Sequence, residues 1–146
     1  MICVVFFSEC KNPDLNKNAE KLITEHFRLL NAHNLKDLAK QYSAKAWIES
    51  PGMDNLPLGG FHPSMREYEL YFMYCDSTKF RVEQTLYNDS LVAVQYEITG
   101  RPKKLSPPLL TNFYPNGLDL ENCSIFKIKG GKIVSESIYI NHIVHD

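Results

Sequence analysis

The sequence lacks the features that mark several large classes of protein. Its 146 residues include 16 basic and 17 acidic side chains, with no block of like charge, so a nucleic acid or an anionic membrane is not an expected partner. The four cysteines show no CxxC spacing, which disfavours a zinc or thioredoxin-like site. We expect free thiols in a reducing cytoplasm, and neither a metal ion nor a cofactor. There is no internal repeat and no low-complexity tract.

The sequence also has no long hydrophobic run. Residues 1–7 are apolar, but the run stops at Ser8 and has no basic segment before it, so it is too short to cross a bilayer. We interpret residues 1–14 as an N-terminal arm or short strand. Residues 15–146 are predicted to form a single domain, since this length and an apolar fraction of 44% suit one ordinary hydrophobic core.

Apolar residues recur at helical spacing in three segments. The predicted helices are Leu15–Ala32, Leu35–Tyr42 and Met65–Cys75. His26 lies on the apolar stripe of the first helix, and we interpret it as a histidine at the edge of the core with a backbone partner.

Alternating and β-branched residues predict five strands. These are Ala44–Ser50, Phe80–Tyr87, Leu91–Thr99, Leu120–Lys129 and Lys132–Val144, with a tight turn at Gly130-Gly131 between the last two. Residues 100–117 contain four prolines and form a long excursion. Helices first and strands later predict an α+β fold, with about three helices packed on one face of a curved antiparallel sheet.

The last predicted strand carries unusually many polar residues. Ser135, Ser137, Tyr139 and Asn141 share one side of it, whereas Glu136 shares the other side with apolar residues. A polar strand in an apolar sheet often lines a cavity or an interface. We interpret Tyr139 and Asn141 as the pair best suited to hold a ligand.

Three stretches carry a resemblance to a known family. They are Leu38–Pro51, which runs from a helix into a strand ending at proline; Leu58–Tyr68, which enters the third helix; and Phe126–Asn141, in which a Gly-Lys-Ile turn joins two strands. In order and spacing they resemble the nuclear transport factor 2-like superfamily, and within it the SnoaL-like polyketide cyclases. Pro63 or Ser64 stands where the family usually has a glycine.

The resemblance implies a cone-shaped fold with a mainly apolar pocket between the sheet and the helices. Such proteins include cyclases, epoxide hydrolases, ketosteroid isomerases and non-catalytic binding or dimerisation domains. We therefore expect either a pocket for a small apolar or aromatic molecule or a domain that binds a partner. A homodimer through the open sheet face is also expected, since Ile138 and Ile140 would otherwise lie on a free surface.

The resemblance also bears on chemistry. In the cyclases an acid near the end of the last strand transfers protons, and Asn141 stands at the matching position, where an amide cannot do so. We therefore expect a weak cyclase- or isomerase-like enzyme, or none. Glu49 and His62 are the candidate proton-transfer groups. The alternatives are that Glu49 is a solvated carboxylate and that His62 is a helix-entry residue. Trp47, Tyr68 and Phe72 are candidate wall residues of the pocket. The alternative is that they are ordinary core residues.

Overall fold

The structure is a computed structural model that describes residues 13–50, 65–88, 90–104 and 117–141. This part of the chain contains three helices and five strands; the first strand precedes the third helix, and the other four follow it. The helices are α1 (Pro13–Asn31), α2 (Leu35–Ala39) and α3 (Arg66–Tyr74), and the strands are β1 (Tyr42–Glu49), β2 (Cys75–Asn88), β3 (Leu91–Pro102), β4 (Leu118–Lys129) and β5 (Lys132–Asn141). The predicted α+β class is confirmed.

The five strands form one curved, unclosed sheet in the order β1-β5-β4-β3-β2. The four strands from β2 to β5 pair antiparallel, as predicted, and β4 and β5 are joined through Gly130 and Gly131, both at positive φ. β1 differs, because it pairs with β5 in parallel. A parallel pair needs a long crossover, and here that crossover contains α3 and the other three strands.

The core lies between α1 and one face of the sheet. Ile23, Phe27 and Leu30 recur at helical spacing on α1 and are buried. Alternate residues of β3, among them Val94 and Ile98, are buried opposite them, which is the period of two expected for a half-buried strand. We call this covered face of the sheet the inner face and the opposite one the outer face.

Several element boundaries differ from the predictions; β3, for example, ends at Pro102 and not at Thr99. Tyr42 opens β1 and does not close a helix, because α2 ends at Ala39. β2 begins at Cys75, which takes extended dihedral angles immediately after α3, so this strand starts before the predicted Phe80. The end of the predicted last strand, residues 142–144, lies outside the described residues.

Two further expectations concern the chain ends and the sheet surface. Residues 1–12 of the predicted N-terminal arm lie outside the described residues. The last two residues of that arm, Pro13 and Asp14, belong to α1. Ile138 is buried and Ile140 packs against the core, so our reason for expecting a dimer was wrong, because both side chains belong to the inner face. Within the described ranges, no helix has the length and apolar character needed to span a membrane.

Candidate functional site

A buried carboxylate lies at the centre of the inner face. Glu136 of β5 is completely buried and follows the same alternation as Ile138. Its Oε1 atom accepts hydrogen bonds from the hydroxyl groups of Tyr68, at 2.6 Å, and Ser124, at 2.9 Å. Its Oε2 atom accepts one from the hydroxyl group of Tyr42. A carboxylate in an apolar interior requires such partners, and both of its oxygens have them.

Each partner of Glu136 comes from a different element. Tyr42 opens β1 beside Ile133 of β5, and β1 then bulges before it pairs again. Ser124 lies on β4 diagonally across from Glu136, two residues before Phe126, which is directly opposite Glu136. Tyr68 reaches the carboxylate from α3. The site is therefore closed by a helix, the edge strand and two central strands.

The hydrogen bonds define the direction of the protons. Because Ser124 donates its proton to Glu136, its oxygen must accept the hydrogen bond from the Tyr96 hydroxyl, at 3.0 Å. Three hydroxyl groups then donate to Glu136, and the Tyr96 hydroxyl donates to Ser124 behind them, an arrangement suited to an ionised carboxylate. We call these five residues, Glu136, Tyr42, Tyr68, Tyr96 and Ser124, the Glu136 cluster.

The three tyrosines of the cluster are neutral donors at ordinary pH. Burial raises the pKa of Tyr42, Tyr68 and Tyr96 well above its usual value, because the ionised phenol would lose its hydration. The negative charge of Glu136 raises the pKa of each tyrosine further. The tyrosines can therefore hold hydrogen bonds without releasing their protons.

His26 is the second buried titratable group near the cluster. Its Nδ1 atom pairs with Oε1 of Gln41 at 3.1 Å, and its ring packs 6.0 Å from the rings of Tyr42 and Tyr68. Burial lowers the pKa of His26 to about 3, although the Gln41 bond acts in the opposite direction, so the imidazole is neutral at pH 7. The predicted backbone partner was wrong, because the partner is the Gln41 side chain.

Asn122 adds an unpaired amide to the same face. It lies on β4 and is 2% exposed. Neither its Oδ1 nor its Nδ2 atom has a hydrogen-bond partner in the described part of the chain. The amide is close enough to the Tyr96 hydroxyl to lower the pKa of that group, but the two do not meet hydrogen-bond geometry. An unpaired buried amide is costly and calls for an explanation.

The predicted site residues are not brought together at one place. Tyr68 belongs to the Glu136 cluster, and Phe72 is partly buried and stacks on His33 with ring centroids 4.1 Å apart. Trp47 is 50% exposed and Tyr139 is 45% exposed. Glu49 lies at the exposed end of β1, where it accepts a 2.6 Å hydrogen bond from the Ser137 hydroxyl.

The remaining two predicted site residues lie wholly or partly beyond the described structure. His62 is outside the described residues. Asn141 is the last residue of β5 and pairs with Glu121 of β4, but its side chain is outside the description. Their predicted roles stay predictions.

Sequence reasoning missed most of the Glu136 cluster. One signal was present, since an acid alternates with Ile138 and Ile140 on an apolar side of the last strand. Tyr42 was assigned to a helix, which hid its place at the start of β1. Ser124 and Asn122 alternate with buried Leu120 and Phe126 on β4, and that pattern assigns both polar side chains to the inner face.

The described residues show no obvious metal site, and a large cleft lies away from the Glu136 cluster. In the described ranges, no group of three His, Cys, Asp or Glu residues is placed to bind a metal ion. A cleft of about 540 Å³ lies between α1 and the β4–β5 turn, with Leu22, Gln41 and Ile128 among its walls. It contains no residue of the Glu136 cluster, so we treat the cluster as a separate site.

The sequence matches a known family over most of its length. The sequence profile of the SnoaL-like domain matches residues 23–136, which run from the middle of α1 to the middle of β5. The chain belongs to the SnoaL-like family. No curated protein sequence matches this SnoaL-like chain.

Solved structures of the same fold support this assignment. A protein of Jannaschia sp. CCS1, provisionally described as a SnoaL-like polyketide cyclase, is 14% identical with a TM-score of 0.70, and 92% of each chain is covered. AclR of Streptomyces galilaeus, provisionally a hydroxylase, is 14% identical with a TM-score of 0.68, covering 88% of this chain and 81% of AclR. A provisional ketosteroid isomerase of Kribbella flavida DSM 17836 is 12% identical with a TM-score of 0.64, covering 89% of this chain and 82% of the isomerase. At such identities the likeness concerns the fold of the SnoaL-like chain and not its reaction.

Proposed function

We propose that this SnoaL-like protein binds a small, mainly apolar carbonyl compound at the inner face, beside the Glu136 cluster. The observation that carries the proposal is a fully buried carboxylate that receives three hydroxyl donors in a mainly apolar core. Ligand sites are mainly apolar and contain a few convergent polar groups. The descriptions of the Jannaschia and Kribbella proteins as cyclase and isomerase agree with a ligand of this class.

We further propose that the reaction, a slow proton transfer at the carbon beside the bound carbonyl group, uses Glu136. The carboxylate takes the proton from that carbon, and the electron pair moves into the carbonyl group to give an enolate. The hydroxyl groups of Tyr42, Tyr68 and Ser124 already occupy both oxygens of the carboxylate, so the substrate has to compete with them for Glu136. Binding is therefore the leading function and turnover is slow. The exposed Glu49 is less suited to this role.

The test measures deuterium exchange at the α-carbon of 2-tetralone by proton NMR. We expect the wild type to accelerate this exchange and Glu136→Gln to lower the enzymatic rate by about 10²-fold or more, which is the range of a general base. Glu49→Gln is the matched control, because it neutralises an exposed carboxylate, and it should exchange at the wild-type rate. Exchange that depends on Glu49, or survives in Glu136→Gln, would overturn the assignment. Failure of every ketone to bind would overturn the binding proposal.

The second candidate function is dimerisation through the outer face. Large apolar side chains are exposed there, one on each of the five strands; they are Trp47, Leu86, Leu91, Ile125 and Tyr139. Leu86, Ala93 and Ile125 lie side by side on adjacent strands, and Ser137 continues the row. A contiguous exposed apolar patch is typical of an interaction surface.

Light scattering after gel filtration tests this second candidate. We expect a dimer mass for the wild type at micromolar concentration and a monomer mass for Ile125→Lys, because the buried lysine would lose its hydration at the interface. Met73→Lys is the matched control, since Met73 is also an exposed apolar residue but lies on α3. A wild-type monomer would contradict dimerisation and leave the ligand proposal intact.

A further inference from the structure

Asn122 lies at a defined position among the polar groups of the inner face. Across the sheet it pairs with Tyr96 of β3 on one side and with Ile140 of β5 on the other. The next inward residue along β4 is Ser124, which belongs to the Glu136 cluster. The Asn122 amide therefore lies at the border between the cluster and apolar side chains.

The unpaired amide needs a partner of a particular kind. Its Oδ1 atom is an acceptor and its Nδ2 atom is a donor, and both are buried without a partner among the described residues. Leaving either one unpaired in an apolar interior is unfavourable. A single group that satisfies both must therefore present a donor and an acceptor close together.

Tyr96 extends this pattern by one acceptor. Its hydroxyl proton is directed to Ser124, which in turn donates to Glu136. The Tyr96 oxygen can then only accept a further hydrogen bond. Together, Asn122 and Tyr96 offer a donor for a carbonyl oxygen and two acceptors for an N–H group.

The charge of the cluster decides between possible ligands. A carboxylate would approach Glu136, the negative charge of which, after burial, raises the pKa of Tyr96. Two negative charges in a poorly hydrated interior repel strongly. A neutral group that combines a carbonyl oxygen with an N–H is compatible with the site.

We propose that Asn122 and Tyr96 select a neutral carboxamide or lactam as the polar group of the ligand. Asn122 Nδ2 donates to the ligand carbonyl oxygen, and Asn122 Oδ1 or the Tyr96 oxygen accepts its N–H. This inference rests on the proposed binding function and names the class of ligand. No covalent step is part of it.

The test compares three probes on the same ring by titration calorimetry: 2-naphthamide, 2-acetonaphthone and 2-naphthoate. We expect the wild type to bind the amide at least about tenfold more tightly than the ketone and the carboxylate most weakly. If ketone and amide bind equally, this inference fails and the binding proposal stands. If none of the three binds, both fail.

A variant series ties the preference to Asn122. Asn122→Leu keeps the branched shape but removes both polar atoms, so the amide should lose at least about tenfold in affinity. The ketone, which loses only the bond to its carbonyl oxygen, should lose less. Gln95→Leu is the matched control, because Gln95 is exposed on β3 and should not alter either affinity. Asn122→Val replaces Asn122→Leu if the latter does not fold. An amide preference that persists in both variants, or a buried water alone as the partner of Asn122, would overturn the inference.

Discussion

The Tyr68 hydroxyl donates a 2.6 Å hydrogen bond to Oε1 of Glu136 and so connects α3 to the last strand of the sheet. Both residues are fully or almost fully buried. The bond joins a helix to a strand that does not pack extensively against it, since the strand nearest to α3 is β2. The position of α3 over the inner face therefore depends on a polar contact as well as on apolar packing.

Removing this hydroxyl should destabilise the protein measurably. Tyr68→Phe keeps the ring and deletes one donor to an ionised acceptor, and we expect a loss of about 1.5–3 kcal/mol in the free energy of unfolding. Urea denaturation followed by circular dichroism measures this. Tyr139→Phe is the control, because the Tyr139 ring is largely exposed and its substitution should leave the midpoint unchanged. Equal midpoints for Tyr68→Phe and the wild type would show that the contact does not stabilise the fold.

A change at Glu136 should disturb more than one hydroxyl. Glu136→Gln replaces one accepting oxygen by a donating nitrogen, so at least one of the hydroxyl groups of Tyr42, Tyr68 and Ser124 loses its acceptor. We expect a loss of about 1–3 kcal/mol in the free energy of unfolding. The double variant Glu136→Gln/Tyr68→Phe should lose less free energy of unfolding than the sum of the two single losses, because both changes act on one network. Simple additivity would contradict the network.

Much of the fold could be predicted from the sequence, because its periodic patterns are local. The alternation around Gly130 and Gly131 predicted the β4–β5 hairpin, and the helical spacing of Ile23, Phe27 and Leu30 predicted α1. The parallel pairing of β1 with β5 could not be predicted in this way, because it joins segments about ninety residues apart. The resemblance placed the chain in its family but did not identify the Glu136 cluster.

The candidate site was harder to predict for a related reason. Its residues are ordinary in sequence, and only their convergence distinguishes them. Tyr42 and Glu136 are 94 positions apart, and neither belongs to a recognisable local motif. Trp47 and Tyr139 were predicted to bind the ligand because aromatic residues in strands suggest a pocket. The bulge of β1 and the strand alternation instead place both on the outer face, where they are exposed.

Stability should fall in mild acid because of His26. The pKa of His26 is about 3 in the folded protein, below the usual 6.5 of the imidazole. Between these values the unfolded chain binds a proton that the folded chain does not, so the stabilisation is complete above pH 6.5 and declines toward pH 3. The expected slope is about 1.4 kcal/mol per pH unit in that window. His26→Leu should show a correspondingly smaller slope in urea denaturation at pH 7, 6, 5 and 4. Parallel curves for the two proteins would contradict this account.

The C-terminal end of α1 is held to β2 by the Asn31 side chain, which pairs with the Phe80 backbone as a neighbouring strand would. Asn31 Nδ2 donates to the Phe80 carbonyl oxygen at 2.8 Å, and Asn31 Oδ1 accepts from the Phe80 amide at 2.9 Å. Asn31→Ala should lower the free energy of unfolding by about 1–2 kcal/mol, because both backbone groups lose a partner. Asn31→Asp keeps the acceptor and should lose less. Amide hydrogen exchange at Phe80 reports the contact directly, and unchanged protection in Asn31→Ala would contradict it.

The place of β1 at the edge of the sheet has a consequence for synthesis of the chain. Within the described sheet, β1 has one neighbouring strand, β5, which leaves the ribosome after the other four strands. Tyr42 and Tyr68 are made 94 and 68 residues before the carboxylate that accepts their protons. Until that acceptor emerges, the early half of the protein has no complete sheet to join. A ribosome stalled before Lys132 would therefore carry a chain whose first strand is unpaired and open to chaperones.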